Sequence, residues 1–161
     1  MKTLTSLLGA ALLKTAFGAT AYAANPDVYV VNFRNDTDVK SQALDSALPS
    51  AVAIAGVNAE QVNIDTSTAA KWEKGAHEAF DRDIVPIFNK WVGLPGFAAV
   101  VDAKTKRVIG CVSSQLDTTE IARELKKMAA RATGNAYISN ASTNAQTTQC
   151  PAAHNVDPAN L

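Results

Sequence analysis

Apolar and polar positions fall into blocks of different period along the chain, and the blocks predict the secondary structure. Val28-Tyr29-Val30-Val31-Asn32-Phe33 is β-branched and aromatic almost throughout, the signature of a buried strand. Arg34-Asn35-Asp36-Thr37-Asp38 follows as a polar turn. Val39, Ala43, Leu44, Ala47 and Leu48 then recur with helical spacing, and Pro49 is expected to end or kink that helix. Residues 51–57 fit either a short strand or a second helical piece. Gln61-Val62-Asn63-Ile64-Asp65 alternates and predicts a second strand. Thr66-Ser67-Thr68 is cap-like. Trp72, Ala76, Phe80, Ile84 and Phe88 follow four residues apart, predicting one apolar face of a long helix kinked at Pro86.

Gly93-Leu94-Pro95-Gly96 breaks that helix. Phe97-Ala98-Ala99-Val100-Val101-Asp102 and Arg107-Val108-Ile109-Gly110-Cys111-Val112 predict a third and fourth strand, and the short turn between them makes a hairpin. Asp117-Thr118-Thr119-Glu120 is a capping-box pattern ahead of Ile121, Leu125 and Met128, which mark a last amphipathic helix. Lys126, Lys127 and Arg131 suit its C-terminal dipole, and Gly134 suits its stop. Beyond it the chain is Ala, Asn, Thr, Ser and Gln, too polar to bury a core of its own. The expected organisation is a signal peptide over 1–23, one α/β domain over 24–133, and a polar tail over 134–161.

The signal is read from Met1-Lys2-Thr3, the apolar run from Leu4 to Leu13, and the small-x-small pattern Ala21-Tyr22-Ala23. The run is too short for a membrane anchor. Export removes Lys2 and Lys14, so fifteen basic residues become thirteen against fifteen acidic. The charges are interleaved and form no phosphate-binding stripe, so no nucleic-acid partner is expected. No later segment is apolar enough to span a bilayer, so no membrane span is expected in the mature form. The expected location is periplasmic or secreted. There the two cysteines, Cys111 and Cys150, are expected to pair as a disulfide that ties the tail back.

The order strand, helix, strand, helix, strand, strand, helix, with a proline just before the third strand, resembles the thioredoxin fold. The resemblance covers about residues 27–132. It rests on Gly93-Leu94-Pro95-Gly96-Phe97-Ala98-Ala99-Val100-Val101, which is similar to the family's segment around its cis-proline, and on Ser113-Ser114-Gln115-Leu116-Asp117 ahead of the capped last helix. It implies a central mixed sheet of about four strands flanked by helices. It also implies a cis Leu94–Pro95 bond, with Leu94, Pro95 and Gly96 at a peptide-binding edge; the alternative is a trans proline that opens the third strand. Redox members of the family carry Cys-x-x-Cys at the start of the first helix. Here Asn35-Asp36-Thr37-Asp38-Val39-Lys40-Ser41 holds no cysteine, so dithiol exchange has no low-pKa thiolate at that place. The export signal, the missing motif and the long central helix together resemble the thioredoxin-like accessory proteins encoded on bacterial integrating conjugative elements.

Other constellations are weaker. Cys150 and His154, with Cys111 and His77, could be assembled into a metal set, but structural sites show paired short spacings that these lack, so no metal and no cofactor are expected. His77 reads as a helix-flank histidine, and Ser113 and Ser114 lack a base partner. No catalytic residue is expected. The functional expectation is a non-catalytic binding or assembly factor of the bacterial envelope with a protein or peptide partner. The alternative is a periplasmic thiol redox protein or metallochaperone using Cys111 and Cys150. The leader has a direct test. N-terminal sequencing of the exported form is expected to begin at Ala24, and a retained Met1 would refute the signal.

Overall fold

The computed structural model describes residues 25–135 and 149–154; the expected signal over 1–23 and most of the tail lie outside the described residues. The elements run β1 (Val28–Arg34), α1 (Val39–Ala55), β2 (Ala59–Asp65), α2 (Ala69–Asp81), α3 (Val85–Trp91), β3 (Phe97–Asp102), β4 (Val108–Ser113) and α4 (Thr118–Ala132). The four strands form one mixed sheet in the order β2-β1-β3-β4. β1 is parallel to β2 and antiparallel to β3, and β3 is antiparallel to β4. This α/β architecture is consistent with a thioredoxin-like fold.

The apolar runs of β1 and β3 are continuous because both strands are covered on both faces. Tyr29, Val31, Phe33, Ala99 and Val101 join Ile87, Phe88 and Trp91 in one core. Val28, Val30, Ala98 and Val100 join Leu44, Leu48, Ile121, Leu125 and Met128 in the other. Side chains alternate across a strand, so each apolar pair in sequence feeds two different layers.

α1 passes through Pro49 without ending. Its buried residues, Ser41, Leu44, Ala51, Leu48 and Ala55, are spaced alternately three and four apart, and Pro49 lies on the exposed side of that seam. The seam packs against α4 and the sheet, so burial holds the helix through a residue that lacks an N–H. Residues 51–55 are therefore helical, and Gly56 closes the helix in the left-handed region, with φ 60°.

The long helix expected after Thr68 is two helices, a correction with two causes. Positions four apart advance 40° beyond a full turn at each step, so five of them cannot share one face of a straight helix. A proline at 86 would also clash with the carbonyl of residue 82 in a continuous helix. The chain breaks between them, with Asp83 in the left-handed region at φ 57° and Pro86 in the first turn of α3, where no N–H is needed. Phe80 is consequently 74% exposed. The capping box of α4 forms as the pattern requires, with Glu120 N–H donating to Asp117 Oδ1 at 2.8 Å and Asp117 N–H to Glu120 Oε2 at 2.9 Å.

The returning C-terminal segment is fixed by the Cys111–Cys150 disulfide, whose Cα atoms are 4.9 Å apart. Trp91 Nε1 donates to the Pro151 carbonyl at 3.1 Å, and His154 N–H donates to the Lys90 carbonyl at 2.8 Å. The segment lies over the face of β4 and the end of α3. Among the described residues it adds no strand to the β4 edge.

Three expectations follow. Phe80→Ala should change the unfolding free energy by no more than about 0.5 kcal/mol in urea titrations, whereas Trp91→Ala should lower it by about 3–5 kcal/mol. Replacing both cysteines by alanine should lower it by up to about 4 kcal/mol, the chain-entropy limit for a loop of this length. Peptide mapping without reduction should find Cys111 and Cys150 linked; two alkylatable thiols would refute the bridge.

Candidate functional site

The sheet end at which β1 and β2 finish gathers the polar chemistry of the molecule. The loop 93–96 crosses it, α1 starts above it, and β4 ends beside it. A cleft of about 300 Å³ lies there. Leu94, Pro95 and Gly96 form one side, Ser113, Ser114 and Gln115 another, and Gln149, Cys150 and Pro151 a third, with Lys40 of α1 at its border. All three residues expected at a peptide-binding edge therefore line one cavity, together with both cysteines.

The reason offered for that edge does not hold. No cis peptide bond occurs among the described residues, so Leu94–Pro95 is trans. Gly93 at φ 84° and Gly96 at φ 92° supply the reversal on either side of the proline, and a cis bond is not needed. The loop's donors are also spent. Leu94 N–H donates to the Trp91 carbonyl at 3.0 Å, Gly96 N–H donates to the Phe33 carbonyl at 2.9 Å, and Pro95 has none. No hydrogen bond falls on the Leu94 or Pro95 carbonyl among the described residues. The loop offers a partner backbone acceptors and apolar surface.

Gly96 is required twice over. A Cβ there would sit 2.9 Å from Lys40 Cβ and 3.2 Å from Asp38 Oδ1, in addition to the strained φ. Asp38 caps α1, its Oδ1 accepting from Ser41 N–H at 2.7 Å and from Ser41 Oγ at 2.9 Å. The cap holds the start of α1 against the loop, and the Lys40 stem rests on Gly96.

Beside the cleft, Arg34 ties four elements together. It pairs with Asp45 of α1 at 2.8 Å, with Asp36 in the turn at 2.8 Å, and with Asp65 at the end of β2. Lys71 of α2 also pairs with Asp36 and, at 3.1 Å, with Asp65. Burial pulls the Arg34 guanidinium down, but the hydrogen bond to Asp45 and the three carboxylate charges outweigh it and hold it above its usual value. Burial pushes Asp65 up, but donors from Ser67 and Lys71 and the Arg34 charge hold it below the ordinary carboxylate value. Arg34, Lys71 and these carboxylates are partnered within the cluster, which reads as a brace.

The remaining expected groups do not converge. His77 stands on α2 with its side chain 75% exposed. Among the described residues no group of three or more His, Cys, Asp or Glu is placed to hold a metal ion. Sequence reasoning assigned no role to Lys40, Ser113, Ser114 and Gln115. The cap at Asp38 places Lys40 in the first turn of α1, a usable signal; the tail's approach to β4 leaves none beyond the cysteine itself. No family model matches the chain, and no curated protein or solved structure matches it either.

Proposed function

We propose that the chain is an exported, non-catalytic binding or assembly factor of the bacterial envelope, periplasmic or secreted, with conjugative transfer as its setting. In this reading the cleft holds an extended segment of a partner protein. The observation that carries it is the convergence of Leu94, Pro95 and Gly96 with the strand-end residues 113–115 on one cavity beside an edge strand. Loop and strand-end surfaces beside an open edge are where extended chains are received. The non-catalytic part of the reading rests on chemistry. The start of α1, where a dipole would favour a thiolate, carries Asp38, Val39, Lys40 and Ser41. Cys111 lies inside a strand, 2% exposed.

A second reading, thiol exchange, is favoured by one observation: both sulfur-bearing residues line the cleft, and Cys150 is only half-buried. Two measurements separate the readings. Reduction of insulin by dithiothreitol is expected to run no faster in the presence of the mature protein; an acceleration that disappears with Cys111→Ala would transfer the assignment to redox chemistry. Ser114→Trp, which fills the cleft from its rim, is expected to abolish co-purification of the envelope partner while the far-ultraviolet dichroism and the urea unfolding midpoint stay unchanged. Undiminished capture would place the partner surface elsewhere.

A further inference from the structure

The cleft has a sign. Among the described residues, its lining includes one charged side chain, Lys40, and no carboxylate. The mature chain as a whole leans acidic once Lys2 and Lys14 leave with the signal, so the cleft runs against the molecule's net charge. Lys40 is exposed and makes no ion pair or side-chain hydrogen bond among the described residues, whereas Arg34 and Lys71 nearby are fully engaged. Its position is set by packing. The stem lies over Gly96, where an added Cβ would be 2.9 Å from Lys40 Cβ and 3.6 Å from Cδ. A side chain at 96 would therefore push Lys40 off the loop.

Most of the surrounding groups act in the same sense. The first turn of α1 carries no acidic residue, so the dipole there adds positive potential. The Asp38 carboxylate at the cap accepts from Ser41 through its Oδ1 and keeps its negative charge, so it offsets part of that potential. Gln115 and Gln149, both exposed, add side-chain amide donors, and Ser113 and Ser114 add hydroxyls. The loop itself contributes the Leu94 and Pro95 carbonyls and apolar surface. A volume of about 300 Å³ is at the small end of ligand clefts and suits a short length of extended chain.

Resting on the binding reading above, we infer that the occupant is an extended segment of a partner protein that carries an Asp or Glu beside an apolar residue. The carboxylate meets Lys40, the apolar side chain lies on Leu94, Pro95 and Pro151, and the segment's backbone N–H groups donate to the loop carbonyls.

The test uses the mature chain with its disulfide intact and random linear peptides displayed on phage. Selected peptides are expected to be enriched in Asp or Glu next to an apolar residue, and their synthetic forms to shift the amide resonances of Gly96, Ser113 and Ser114. Lys40→Ala should weaken binding roughly three- to fivefold, as one exposed ion pair allows, and added salt should weaken it likewise. Lys40→Arg should retain binding, and selection on Lys40→Glu should recover basic peptides instead. Peptides that map to the cleft without acidic enrichment, or that bind Lys40→Glu as well as the parent, would overturn the acidic occupant and leave the cleft reading standing. Selections in which no peptide maps to the cleft would overturn both.

Discussion

β1 and β3 must be covered on both faces, and the rest of the molecule follows from that constraint. A strand whose residues alternate between two apolar layers cannot lie at a surface, so helices are needed above and below. α1 and α4 supply one layer, and α2 and α3 the other. The edges then fall to β2 and β4, whose sequences admit exposure: β2 interleaves Glu60, Gln61 and Asn63 with Val62 and Ile64, and β4 is partly open along its first half. The mixed topology brings the ends of β1, β2 and β4 and the start of β3, and with them the loop 93–96 and the start of α1, to one end of the sheet.

Burial also explains the polar brace. Asn32 is the polar residue within the apolar run of β1, and it is 2% exposed. Its Nδ2 donates to Asp45 Oδ1 at 2.7 Å and to Asn63 Oδ1 at 3.3 Å. Asp45 thereby serves both Asn32 and Arg34, joining the middle of α1 to consecutive inward positions of β1. Asn32 Oδ1 finds no protein donor. Turning the amide over would set that oxygen against the Asp45 carboxylate, so the orientation is fixed by the stronger, charge-assisted bond. A buried polar group within the apolar run of β1 favours α1 as the helix that lies over it, because Asp45 of α1 supplies the charged acceptor.

The strands, the hairpin and the capped last helix were readable because each depends on local alternation or on a cap three residues long. The errors share a different origin. At Pro49 an end or a kink is expected because a pattern shows the missing N–H but not which side of the helix faces water. Phe80 was read as core because a four-residue spacing resembles a helical face until the angular drift is added up. Between the cis bond that the resemblance implies and a trans proline opening a strand, the sequence does not choose; two glycines with positive φ turn the chain and the bond is trans. The brace around Arg34 was invisible because its members, from residue 34 to residue 71, are brought together only by the parallel pairing of β1 with β2. Of the cleft, the loop and the cysteines were legible; Lys40 was in plain sight but needed the contact with Gly96 to give it a direction.

The place of the disulfide is itself explained by the helical layers. α2 packs on β2, and α3 sets Trp91 against Phe33 and Phe97, with ring centroids 6.0 and 5.6 Å apart. That spends the lower layer on β2 and on the ends of β1 and β3. Cys111, on β4, faces the same layer beyond the reach of α3, and Cys150 packs there against the core. A polar tail has too little apolar surface to hold such a position by burial, and the two hydrogen bonds from Trp91 and His154 are each worth only about 1 kcal/mol. The covalent bond does what a third helix would otherwise do. It keeps Pro151 over Trp91 and forms one wall of the cleft, so the shape of the binding surface and the stability of the β4 face depend on the same link.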